Sequence, residues 1–167
     1  MNEQQTTTTG TAEAENTDTE AIDPLDRIDK SIDIDASQEL VWDLVSRPGW
    51  WINDGTVDPE PELRQEGEVT VVTHPQHGEF RLLTVAADRP SYVAFRWLHA
   101  ATDDRPQRST LVEFRIVPRS SGVTLSVAES GFAALSPDRA VWLADRSGNV
   151  DGWDTELAAA RTFVEGS

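Results

Sequence analysis

The sequence predicts an α+β fold, a curved antiparallel sheet wrapped around a long C-terminal helix, and three observations carry that prediction. An alternating segment opens the ordered chain near residue 27, and a succession of alternating segments broken by turn residues fills about 56–132. Then one stripe at helical spacing, Val150, Trp153, Leu157, Ala160 and Val164, closes the chain. A helix so striped must bury its apolar side, and the sheet's apolar face is what the chain offers it.

Before the first strand, residues 1–24 hold a Thr run, no aromatic side chain and a single strongly apolar residue after Met1, Ile22. Such a segment cannot offset the entropy of ordering, so it reads as a disordered tail, with a single domain from 25 to 167. From Arg27, "RIDKSIDID" sets Ile28, Ile32 and Ile34 on one face and Asp29, Ser31, Asp33 and Asp35 on the other, a half-buried strand. Next comes a short helix: Ser37 or Asp35 caps, Leu40, Val41, Leu44 and Val45 recur at helical spacing, and Pro48 and Gly49 stop it.

The strands that follow are "EVTVVTH", "EFRLLTVAA", "YVAFRWLHA", "STLVEFRIV" and "VTLSVAESGF". Turns at "PQHG", "DRPS" and "RSSG" and a polar loop "TDDRPQ" separate them, giving an antiparallel meander. Ser136 and Pro137 then open a helical region that Gly148 and Asn149 are expected to interrupt. A strongly twisted sheet of this size curls around the final helix, and incomplete closure leaves a cavity between them.

Composition excludes several function classes. No cysteine is present, which removes disulfides, thiolate nucleophiles and cysteine-ligated zinc. The net charge is −16; six acids and no base lie in residues 1–24, leaving −10 on the remainder. That field repels phosphate backbones and anionic lipid, so neither nucleic acid nor a membrane surface is expected as a partner. No signal-like or membrane-spanning run is visible, and the expected location is cytoplasmic.

The order and spacing of these segments resemble the SRPBCC, or START-like helix-grip, superfamily. Within it they are most similar to the branch named for the activator of the heat-shock-protein-90 ATPase. "IDIDASQELVWDLVSRPGWW" resembles the opening strand and the helix bearing Val41 and Trp42, and "VAFRW" the strand ending in Trp97. "STLVEFRIVPRSSGVTLSVAESGF" resembles the paired strands ending at Glu129 to Phe132, and "NVDGWDTEL" the Gly152-Trp153 start of the final helix. The likeness covers about 25–165 and implies a helix-grip fold with a cavity for a hydrophobic ligand. Members of the superfamily carry lipids, sterols, polyketides or plant hormones, and some catalyse cyclisation or dehydration.

Strand parity places three rows on the concave face: Val93, Phe95, Trp97 and His99; Val112, Phe114 and Ile116; and Val123, Leu125, Val127 and Glu129. Glu129 thus stands where the alternation asks for an apolar side chain. Pointing inward, it would have a raised pKa and could donate to a ligand or move a proton; the preferred reading sets it at the open rim, bonded to an arginine or water. Trp50 and Trp51 are expected near the pocket mouth, Trp42 and Trp153 in the core. The candidate ligand contacts are Trp51, Phe80, Phe95, Trp97, His99, Phe114, Glu129 and Trp142.

His74 and His77 sit three apart in a Pro- and Gly-bearing turn with no third ligand nearby in sequence, so a solvated turn and no metal are expected. Close carboxylates in "DIDAS" and "TDDR" lack the spacing of a calcium loop, and no cofactor fingerprint is present. Three functions remain open. The first is non-enzymatic binding of a small apolar or aromatic molecule; the second is a cyclase- or dehydratase-like enzyme using Glu129 with His99 or Arg96; the third is a co-chaperone-like module whose acidic face meets a protein partner.

Overall fold

The computed structural model describes residues 23–99 and 107–167. Seven strands and two helices follow one another as β1 (Arg27–Ile34), α1 (Gln38–Val45), β2 (Glu62–Glu66), β3 (Val69–His74), β4 (Gly78–Asp88), β5 (Tyr92–His99), β6 (Arg108–Pro118), β7 (Val123–Ser130) and α2 (Arg139–Glu165). They form one curved antiparallel sheet in the order β1-β7-β6-β5-β4-β3-β2. Consecutive strands from β2 to β7 are neighbours, and β1 closes onto β7, with Ile28 opposite Glu129 and Ile34 opposite Val123. A register shift between Thr84 and Ala86 on β4 bends the sheet at its middle.

Parity predicted the inward face well: Val93, Phe95, Val112, Phe114, Ile116, Val123, Leu125 and Val127 are all buried. Against them pack α1, through Val41, Trp42, Leu44 and Val45, and the C-terminal half of α2, through Trp153, Leu157, Ala160 and Val164.

Four expectations change. First, β2, "ELRQE", is a strand with every side chain exposed, so it carries no apolar alternation to read; it is an edge held by its ladder to β3. Second, α2 runs unbroken through Gly148 and Asn149, because one helical glycine costs only about 1 kcal/mol against a helix anchored on the sheet. Third, α2 begins at Arg139 with Asp138 as its cap, so Gly152 and Trp153 lie mid-helix instead of at its start. Fourth, Asp23, assigned to the tail, caps a 3-10 turn at Pro24–Asp26 and holds the Arg139 guanidinium at 3.0 Å. The rest of the expected tail, 1–22, and most of the polar loop, 100–106, lie outside the described residues.

Candidate functional site

The chain between α1 and β2 decides what fills the space between helix and sheet. Gly49 takes φ +74°, and a Cβ there would stand 2.6 Å from Val72 Cγ2, so only glycine permits this reversal against β3. The reversal drives both following tryptophans inward. Trp50 and Trp51, expected at an exposed mouth, are 6% and 4% exposed. Trp51 is the centre of an aromatic cluster, its ring centroid 5.4–5.6 Å from those of Phe95, Trp97, Phe114 and Trp153.

That plug replaces most of the anticipated cavity. What remains between α2 and the sheet is a slot of about 130 Å³, lined by Trp51, Asn53 and Trp97 on one side and by Asn149, Gly152, Trp153 and Glu156 of α2 on the other. Of the proposed contacts, only Trp51 and Trp97 line it. Phe95 and Phe114 lie buried beside the Trp51 ring, and Phe80 is half-buried at the core edge. Trp142 is buried under Arg139, whose guanidinium lies 5.6 Å from the ring centroid. His99 is exposed at the end of β5, its pKa drawn down by partial desolvation against the opposing charge of Asp145.

Glu129 is not at a rim. It is wholly buried, accepting hydrogen bonds from Thr110 Oγ1 at 2.7 Å, Asn149 Nδ2 at 2.9 Å and Trp153 Nε1 at 2.8 Å. Burial pushes its pKa up, and those three bonds oppose the shift. Among the described residues neither an arginine nor His99 is a partner of Glu129, so the pairing of Glu129 with His99 is not assembled. The carboxyl instead fastens α2 to β6 and β7 from behind the slot.

The acid that faces the slot is Glu156, which no motif in the sequence singles out. It is 7% exposed, and its Oε1 accepts the Gly55 backbone N–H at 3.1 Å. Asn53 shapes that approach by donating to the Trp50 carbonyl and accepting from the same Gly55 N–H, both at 2.9 Å. The Glu156 Oε2 is buried with no hydrogen-bond partner among the described residues, and so is Nε1 of Trp51. Desolvation pushes the Glu156 pKa up to about 7; the Gly55 and Asn53 bonds oppose it, and the charge of Asp54 adds to it. One signal was available: Glu156 stands three residues after Trp153 and four before Ala160, inside the buried stripe.

Asp54, next to this site, brings an unforeseen third group to the histidine turn. Its carboxylate lies 3.6 Å from His74 Nε2 and 3.2 Å from His77 Nε2, and the two rings stack at 4.4 Å. Three candidate metal-ligand atoms therefore come within 4.8 Å of one another. Yet Nδ1 of His74 accepts the backbone N–H groups of Gln76 and His77, at 3.0 and 3.2 Å. That assignment puts the proton of the neutral ring on Nε2, aimed at Asp54, where a metal would need a lone pair. The cluster fits an acid joined to two imidazoles better than a metal centre. It borders a second cavity of about 210 Å³, outside the helix and sheet interior, walled by Arg47, Trp50, Asp58 and Val72.

Compared with solved structures, the chain superposes over 84% of its length on 98% of a protein from Mesorhizobium loti, with a TM-score of 0.64 and 16% identity. It also matches the Aha1 dimer from Colwellia psychrerythraea, over 83% of this chain and 96% of that one, at TM-score 0.59 and 12% identity. The chain has the helix-grip fold. A polyketide-cyclase-like protein from Corynebacterium glutamicum shares this helix-grip architecture, over 83% of this chain and 91% of that one, at TM-score 0.53 and 17% identity. No family model and no curated protein matches the sequence. Among the described residues no helix is long and apolar enough to cross a membrane.

Proposed function

We propose that this helix-grip protein binds a small organic molecule, or the end group of a larger one, in the slot between α2 and the sheet. The observation that carries the reading is the Glu156 Oε2, buried without a partner among the described residues on a wall of three indoles, two asparagines and Gly152. Leaving a carboxyl oxygen in that state costs free energy which a bound donor recovers. Size limits the guest: an apolar cavity of ~150 Å³ holds one benzene, so the slot accommodates about a single ring. A long lipid or a polyketide chain would have to displace Trp51.

Gly152 provides the test. Gly152 lines the slot and a Cβ there meets nothing within 4 Å, so a leucine at this position is expected to crowd the slot without a clash at its Cβ. Native mass spectrometry and thermal shift against a panel of single-ring and short-chain compounds should find a stabilising ligand for the wild type and none for Gly152→Leu. A panel in which no compound raises the melting temperature, with nothing co-purifying, would remove the proposal.

A second reading, acid–base catalysis of the cyclase or dehydratase kind, is favoured by one observation. A carboxyl held near pH 7 can both give and take a proton at neutral pH, and the group so placed is Glu156 in place of Glu129 and His99. Its test is the fate of the co-purifying molecule. Catalysis requires Glu156→Gln to retain a precursor that the wild type converts; the same molecule in both leaves binding alone. The co-chaperone reading rests on likeness of fold to one neighbour, and a fold does not carry a partner with it.

A further inference from the structure

We infer that the slot is a receptor for an organic ammonium group, with Trp51, Trp97 and Trp153 as its aromatic walls and the unpaired Glu156 carboxyl as its counter-charge. The inference rests on the slot being the binding site and names the chemistry of what enters.

Among the described residues the walls supply three indoles and no arginine or lysine, so the lining includes the side chain that attracts cations best by its π-face. Asn53 is held between the Trp50 carbonyl and the Gly55 N–H, and Asn149 donates to Glu129. The buried acceptor on the wall without a partner among the described residues is Oε2 of Glu156. A neutral guest would leave that carboxyl to be satisfied by its own proton, whereas a cation pairs with its ionised form. Before a guest enters, desolvation and the charge of Asp54 both hold a proton on Glu156, so an entering cation takes the place of that proton. Asp54, from the chain after α1, adds a negative field at Glu156 and is itself flanked by His74 and His77 of the β3–β4 turn. Glu129 lies behind Trp153 and Asn149. The net charge of −16 concentrates cations at the surface through which a guest must pass. A trimethylammonium head is of single-ring size and suits the slot.

The probes are choline and its uncharged carbon isostere dimethylbutanol, titrated into the full-length protein by calorimetry and tryptophan fluorescence. Choline is expected to bind at least about tenfold more tightly than the isostere at about pH 8. Because the free carboxyl titrates near 7, choline affinity should fall roughly tenfold between about pH 8 and pH 6, while that of the isostere stays level. Glu156→Gln, an isosteric change, should erase the pH dependence and reduce the preference to the part that the indoles supply. A pH dependence that survives in Glu156→Gln would overturn the role of Glu156. An isostere that binds as well as choline would overturn the cation assignment while leaving the slot a binding site. If neither these probes nor the neutral panel bind, the binding reading falls together with this one.

Discussion

The indole N–H of Trp153, halfway along α2, donates to the carboxyl of Glu129 at the end of β7 across 2.8 Å, where Glu129 is wholly buried and Trp153 is 2% exposed. That bond, with those from Asn149 and Thr110, is the polar joint between helix and sheet, and the aromatic face of the same indole walls the slot. One residue thus links the packing of the fold to the site.

Removing the joint should be expensive. Glu129→Ala leaves the buried donors of Thr110 and Trp153 and the part-buried Asn149 without their acceptor and opens a void, so a loss of about 3–5 kcal/mol is expected in urea denaturation. Glu129→Gln keeps the shape and should cost about 1–2 kcal/mol, since its amide replaces one oxygen that accepts a hydrogen bond. A tolerant response to alanine would show that the joint contributes little.

The two buried acids fix the sign of the pH dependence. Both Glu129 and Glu156 have folded pKa values above the ordinary 4.5, so in the window above that value the unfolded chain releases their protons first. Their contribution to stability is therefore complete below 4.5 and declines as pH rises, for Glu156 until about 7. Melting curves of wild type and Glu156→Gln, recorded from about pH 5 to pH 8, should converge or cross as the variant escapes that decline. Parallel curves would mean that Glu156 titrates normally.

Trp51 contributes through packing. Its ring touches four other aromatic rings in addition to Trp50, and Trp51→Ala should destabilise by about 3–5 kcal/mol while enlarging the slot. Loss of the near-ultraviolet circular dichroism of the cluster, with the far-ultraviolet signal kept, would accompany it. A change under about 1 kcal/mol would contradict the central place given to this ring.

Two glycines should respond oppositely to alanine. Gly122, in the β6–β7 turn, has φ +76° and lies with its Cα hydrogen against the Ile34 carbonyl, so Gly122→Ala should cost at least about 2 kcal/mol. Gly152 is helical with open space beyond it, and Gly152→Ala should be neutral or stabilising by up to about 1 kcal/mol. Chemical denaturation of the pair distinguishes backbone constraint from side-chain room.

The frame is legible in the residues alone, from β1, α1 and the meander from β3 to β7 to the concave rows through Phe95, Phe114 and Leu125, because period and turn chemistry are local properties of a chain. It could not show β2, whose residues are all exposed, or the continuity of α2 through Gly148, since packing on the sheet outweighs a local preference. The site was legible only in part. Trp51 and Trp97 stood out as large aromatics near the helix end and on the inner row, but whether Trp51 fills space or borders it depends on a reversal at Gly49 against Val72. Glu129 was noticed and misplaced, because its partners Asn149 and Trp153 come from a helix twenty or more residues away. Glu156 was overlooked, because a glutamate on a helix is ordinarily solvated and nothing local says that Gly55, 101 residues earlier, will meet it. Tertiary structure alone decided which carboxyl is tied down and which is left facing the slot, because burial and hydrogen-bond partnership belong to contacts between distant segments and to no single stretch of chain.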